Sequence, residues 1–171
     1  MKHLSLDIST SCTGWAFGED EEIEEHGYVR FKKDDDWKHI DLVRQLSDAI
    51  PDQIEAAETV VVEDALRKYG GMTTQRSINV LIEFNAVVQY EMRRQGKTVL
   101  GYHPSTARKN SFVGKGRRPS TYDDTKAWIL DEVAEFLDLE WSRTRYDNIR
   151  KQHEDEADAV VLASAFINTD L

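Results

Sequence analysis

Leu4-Ser5-Leu6-Asp7-Ile8-Ser9-Thr10-Ser11-Cys12-Thr13-Gly14-Trp15-Ala16-Phe17 is the stretch from which the rest of the chain can be placed. Leu4, Leu6 and Ile8 alternate with Ser5, Asp7 and Ser9, the period of a strand with one apolar face. Asp7 then stands opposite the apolar set, either exposed or bound to something. The polar tract 9–13, followed by Gly14, has the composition of a tight turn. Trp15-Ala16-Phe17 therefore reads as the returning arm of a hairpin that carries Asp7 near its open end. One carboxylate of this kind is common on protein surfaces; its meaning depends on what the fold brings to it.

Outward from that hairpin, residues 13–18 and 23–31 read as a meander across the acidic turn 19–22. Trp37, Ile40, Val43, Leu46 and Ile50 recur at helical spacing, and Pro51 interrupts or ends that helix before Ile54. Thr59-Val60-Val61-Val62-Glu63-Asp64 is a continuous β-branched run, as in a central strand buried on both faces, and it stops at two carboxylates. Glu63 thus falls at a strand end, where open sheets place ligands. Residues 65–76, with Arg67, Lys68 and Tyr69 among glycines and threonines, form a polar loop. Ile78, Leu81, Ile82, Asn85, Val88 and Met92 then mark one face of a helix reaching about Gln95. Val80, Phe84, Val87 and Tyr90 widen that face beyond the roughly 100° one core contact needs, which leaves two readings open: a symmetric dimer or deep burial in the monomer.

Residues 96–102 predict another strand, and His103-Pro104-Ser105-Thr106 a short helix capped by Ser105. The tract 111–120 is a loop rich in glycine and arginine. Thr121 or Asp123 caps a helix running through Trp128, Ile129, Val133 and Phe136. Residues 141–153 are polar, aromatic and basic and read as irregular, and 154–167 as a helix with Ala159, Leu162, Ala163 and Phe166 inward. Three strands, helix, strand, helix, strand and further helices make an α/β chain, 1–171, with one domain expected.

At 171 residues the chain can bury a real core without disulfides or structural metal. The single cysteine, Cys12, points to a reducing, cytoplasmic setting, with no zinc cluster beside it. No apolar run reaches membrane-spanning length, and the N-terminus enters a strand instead of a signal peptide. The formal charge of −10 argues against a general nucleic-acid coat protein. Its distribution does not argue against a local contact, because residues 103–128 hold Arg108, Lys109, Lys115, Arg117, Arg118 and Lys126 against Asp123 and Asp124. Screening over about 8 Å at physiological salt lets such a patch act despite the net sign.

Asp155 and Asp158, three apart, share one side of the first turn of the last helix. Helix-dipole stabilisation alone explains such a pair. Added to Asp7 and Glu63 it suggests more, since adjacent strands and a helix packed on them can bring four carboxylates into one cleft. Four such groups do not stay ionised together without cations. Two Mg²⁺ ions, with Mn²⁺ as substitute, suit all-oxygen ligands better than zinc does. Two ions about 3.5 to 4 Å apart activate water and stabilise the leaving oxygen of a phosphodiester. The reaction implied is phosphodiester hydrolysis.

LSLDISTSCTGWAF (4–17), VVVED (60–64) with the basic loop after it, YHPSTARKNSFVGKGRR (102–118) and EDEADAVVLA (154–163), in this order, resemble the RuvC family of Holliday junction resolvases. The resemblance covers nearly the whole chain. It implies a ribonuclease H-like fold, with a mixed five-stranded sheet flanked by helices. By the same likeness Asp7, Glu63, Asp155 and Asp158 match the family's four metal-binding acids, and the 104–117 segment offers Lys109 and Lys115 as DNA contacts. Tyr69, in the loop with Leu66, takes the place of an aromatic wedge at the junction centre. The implied protein is a homodimeric, Mg²⁺-dependent endonuclease that nicks branched DNA, with Arg67, Lys68, Arg117 and Arg118 also lining the DNA path.

The surface is more acidic than is usual in that family, which suits a divergent, viral member. His153, beside the acids, reads as an exposed residue leading the last helix or as one that positions water. Three other functions stay open. One is a non-catalytic junction-binding protein of the same fold. Another is a nuclease acting on RNA-DNA hybrids, since the first motif also resembles the RuvC-like domains of RNA-guided nucleases. The third is a small-molecule phosphotransferase, because Asp7-Ile8-Ser9-Thr10 followed by Thr13-Gly14 also resembles the phosphate loop of sugar kinases.

Overall fold

A computed structural model of the chain describes residues 1–64, 74–115, 121–145 and 149–170, with side chains for all of these except 114, 115, 122–124 and 170. Strands β1 (Lys2–Asp7), β2 (Cys12–Glu19), β3 (Glu22–Arg30), β4 (Thr59–Glu63) and β5 (Thr98–Tyr102) form one mixed sheet in the order β3-β2-β1-β4-β5. β1, β2 and β3 are an antiparallel meander, whereas β4 pairs parallel to β1 and β5 parallel to β4. The helices are α1 (His39–Ala49), α2 (Pro51–Ala56), α3 (Gln75–Arg94), α4 (Pro104–Asn110), α5 (Tyr122–Leu137) and α6 (Gln152–Asp170). A 3-10 turn (Phe112–Lys115) follows α4.

The sequence explains these boundaries locally. Within the 9–13 turn the Ser9 hydroxyl donates to the Cys12 carbonyl at 2.6 Å and accepts from the Cys12 N–H, closing the first hairpin with side-chain bonds. Pro51 interrupts the first helical run by opening a second, since its missing N–H costs nothing at the first helical position. Thr74 caps α3, its hydroxyl accepting from the Ser77 N–H. The cap of α4 is His103, not Ser105. Pro104 takes the first helical position, and the imidazole Nδ1 accepts the Ser105 N–H at 3.3 Å.

The alternation of β1 separates two covered faces, not a wet one from a dry one. Leu4 and Leu6 pack with Phe17, Val60 and Val62 against α1 and α3 through Leu42, Val43, Leu46, Phe84, Val88 and Met92. His3 and Ser5, on the other face, are fully buried beneath α6, with His3 tilted against Phe166 at 5.2 Å. Small residues make that second contact close: Ala16 on β2 packs against Ala157, Ala159 and Ala163 of α6, with α5 outside. Because α6 is buried nearly all round, it shows little amphipathic periodicity.

Two further expectations are corrected by packing. In α3 the buried set is Ile78, Phe84, Asn85, Val88 and Met92, so Phe84 belongs to the core, while Val80 and Val87 are half-buried and Tyr90 is 67% exposed. The segment 141–153, read as irregular, contains a bridge between Arg143 and Ile149 and then the start of α6.

Candidate active site

Asp7 is the last residue of β1 and Glu63 the last of β4. Those strands are parallel neighbours with Leu6 opposite Val62, so the next position along each sets the two carboxylates side by side at the same sheet edge. Across the hairpin, Asp7 pairs with Gly14. A Cβ at Gly14 would lie 1.9 Å from the Asp155 carbonyl oxygen, so the first turn of α6 rests directly on the β2 backbone at this point. This contact brings Asp155 and Asp158 over the strand ends, and only glycine permits it.

The four acids lie within one another's fields. Burial, followed by the charges of Asp158, Glu63 and Asp155, holds the Asp7 carboxyl well above its ordinary value, with Lys126 pulling the other way. Burial and Asp158 push Glu63 up to about 7 against the opposing pull of Arg108 and Lys126. Burial also raises Asp155 to about 6, Asp158 and Glu154 adding to it, while a hydrogen bond from the Cys12 thiol and the charge of Lys126 oppose it. The Cys12 thiol is in turn pushed up to about 12 by burial and by Asp155. Groups far apart in sequence repel one another here because they share a partly desolvated cleft.

Surrounding side chains fix the acids in place. Asn85 of α3 donates to the Glu63 carbonyl at 2.9 Å, and Gln89 donates to Asn85 at 2.6 Å, tying the end of β4 to α3. Glu156, between the two α6 acids in sequence, receives His26 Nδ1 on one oxygen and His153 Nδ1 on the other, both at 2.6 Å. Burial works to raise the Glu156 carboxyl, but the two imidazole hydrogen bonds hold it below the usual range. His153 Nε2 meets the Ser142 hydroxyl at 2.7 Å. His153 is therefore buried in a hydrogen-bond chain and is neither an exposed helix leader nor a residue facing water.

Lys126 sits among these acids, although sequence reasoning counted it only within a basic patch. Its ammonium, on α5, pairs with the Asp158 carboxylate and lies within the field of the other three acids. The signal was present: Lys126 falls at the spacing of Ile129, Leu130 and Val133, a lone cation on the inward face of its helix.

The donor set is all carboxylate, the hard-oxygen chemistry that Mg²⁺ or Mn²⁺ takes, and burial together with mutual repulsion raises three of the acids despite Lys126. As the side chains stand around Lys126, no group of three or more His, Cys, Asp or Glu among the described residues is set to hold a metal ion. The cluster fits divalent cations by chemistry; its geometry is that of acids gathered around an ammonium.

Of the expected DNA contacts, Lys109 is exposed at the end of α4, and Arg108 beside it reaches the field of Glu63. The backbone of Lys115 closes the 3-10 turn. Arg67, Lys68, Tyr69, Arg117 and Arg118 lie outside the described residues.

A mixed five-stranded sheet of this order, flanked by helices, is the ribonuclease H-like class of α/β fold. Within that class the chain has the RuvC fold. It superposes on the Thermus thermophilus RuvC structure with a TM-score of 0.59 at 15% identity, covering 96% of this chain and 92% of that one. T. thermophilus RuvC in complex with a Holliday junction substrate gives 0.58 at 14% identity, with 96% and 91% covered. The yeast mitochondrial Holliday junction resolvase Ydc2 gives 0.60 at 15%, with 97% of this chain and 77% of that one. At these identities the likeness is one of fold. No protein-family model matches the sequence, and no curated protein does.

Proposed function

We propose that the chain is a structure-selective endonuclease that nicks Holliday junctions and other branched DNA by metal-assisted hydrolysis of a phosphodiester. The observation that carries this reading is the meeting of Asp7, Glu63, Asp155 and Asp158, residues from opposite ends of the chain, in one cleft of a RuvC-type fold. The resolvases that share the fold, one of them with a Holliday junction substrate, support the substrate class.

In this reading the four carboxylates would hold two Mg²⁺ ions, which would supply an activated water and charge stabilisation at the leaving oxygen. Asp7 and Glu63 act from rigid strand ends, and Asp155 and Asp158 from a helix turn locked by Gly14 and Glu156. Lys126, paired with Asp158, would be displaced from it on metal binding and would then offer its charge to the DNA phosphate. Arg108, Lys109 and Lys115, with Arg67, Lys68, Arg117 and Arg118, position the backbone without reading sequence. Tyr69 serves as the wedge at the junction centre. The remaining apolar surface of α3, with Val80 and Val87 half-buried and Tyr90 exposed, supports a homodimer that sets two such sites across a junction.

The test is nicking of a labelled four-way DNA junction in Mg²⁺ by the parent and by Asp7→Asn. The expected result is cleavage by the parent and its loss in Asp7→Asn with junction binding retained; equal nicking rates would overturn the assignment. One observation favours a second reading, a junction-binding protein without cleavage: Lys126 already neutralises Asp158, leaving no metal-ready group among the described residues. A parent that binds the junction and never nicks it in Mg²⁺ or Mn²⁺ would establish that alternative.

A further inference from the structure

The segment 141–151 joins α5 to α6 and contains Arg143, Arg145, Arg150 and Lys151 against one acid, Asp147, in a chain whose formal charge is −10. All four cations are exposed. The segment is also anchored. The Trp141 indole N–H donates to the Leu130 carbonyl at 2.8 Å, Arg143 bridges Ile149, and the Arg150 N–H donates to the Ser142 carbonyl at 3.2 Å. Ser142 then meets His153, and through it Glu156 and His26 of β3. The basic residues flanking that bridge are thereby fastened to the helical turn that carries Asp155 and Asp158.

Their position relative to the acids follows from helix geometry. The His153 N–H bonds the Arg150 carbonyl and the Glu154 N–H bonds the Lys151 carbonyl, each at 3.0 Å, so Arg150 and Lys151 lead directly into α6. Lys151 directly precedes α6 and stands four residues before Asp155, about one turn or ~6 Å along the axis. Successive phosphates of a DNA strand rise by about 3.4 Å, so Lys151 comes within reach of phosphates a step or two from one held at the acids. Exposed Arg150 and Lys151 at the mouth of the acid cluster are complementary to a polyanion.

We infer that Arg150 and Lys151, supported by Arg143 and Arg145 beside the Arg143–Ile149 bridge, form a nucleic-acid arm that grips the phosphate backbone beside the strand presented to the carboxylates. This rests on the endonuclease reading and extends it to a contact surface separate from Lys109 and Lys115. The Ser142-His153-Glu156-His26 chain holds the arm in register with the acids, so that a strand held by one is aligned for the other.

The test is equilibrium binding of a four-way DNA junction by the Asp7→Asn chain across a salt series, alone and combined with Arg150→Ala/Lys151→Ala. Removal of two phosphate contacts lowers the slope of log affinity against log salt by about two and weakens binding roughly tenfold near physiological salt. A charge-keeping pair, Arg150→Lys/Lys151→Arg, retains both values, and melting temperatures show that each variant is folded. An unchanged slope in the folded alanine pair, while Asp7→Asn itself binds with a steep slope, overturns the arm and leaves the endonuclease reading intact. If Asp7→Asn shows no salt-dependent binding to the junction, both fall.

Discussion

Glu63→Gln gives a stability effect whose sign reverses ordinary expectation for a buried polar substitution. Burial and Asp158 raise the Glu63 carboxyl from its ordinary 4.5 to about 7. The folded chain therefore holds this proton more tightly than the unfolded chain does. Stability attributable to Glu63 is undiminished below pH 4.5, falls as pH rises through the window from 4.5 to about 7, and its full loss is present above that. For an isolated group the loss reaches ~3 kcal/mol; neighbouring acids share the repulsion, so about 1 to 2 kcal/mol is the expected gain from the neutral amide. In a chain of this length that is roughly 3 to 6 °C in melting temperature. The assay is thermal unfolding of both proteins in chelator at pH 5 and pH 8. Glu63→Gln should melt higher at pH 8 and alongside the parent at pH 5. Equal differences at the two pH values, or a lower melting temperature for the amide at pH 8, would refute the claim that Glu63 sits in a repulsive acid cleft.

Other variants test the supports of the site. Gly14→Ala puts a methyl group against the Asp155 backbone and should cost ~2 to 4 kcal/mol in urea unfolding; parent-like stability would mean that α6 does not rest there. Asn85→Ala leaves the Glu63 carbonyl without its side-chain donor, and a loss of ~1 to 3 kcal/mol is expected by the same measurement, against none if that bond is incidental. Lys109→Ala should weaken binding to every DNA form and lower the salt slope by about one; a slope equal to the parent's would count against a phosphate contact at that position.

What the sequence made legible was what strand period and helix spacing encode. The alternation around Asp7, the β-branched run ending at Glu63 and the three-residue spacing of Asp155 and Asp158 placed four carboxylates on elements that the fold does bring together. Other features depend on contacts distant in the chain. The bond between His26 and Glu156 and the pairing of Lys126 with Asp158 join residues with no local relation, so no spacing rule announces them. The burial of His3 and Ser5 was hidden for a related reason: a polar strand face reads as wet unless an alanine-rich helix covers it, and composition alone does not say where α6 lies. At α4, His103 took the capping role because Pro104 fixed the helix start one residue before the serine.

Hydrolysis at this site requires that the acid cleft exchange its ammonium for divalent ions. A crystal structure of the chain soaked in Mn²⁺, read from anomalous scattering, decides this directly. Two manganese peaks about 4 Å apart, bound by Asp7, Glu63, Asp155 and Asp158 with Lys126 withdrawn from Asp158, are the predicted result. Carboxylates still gathered around Lys126, with no anomalous density among them at saturating Mn²⁺, would contradict it.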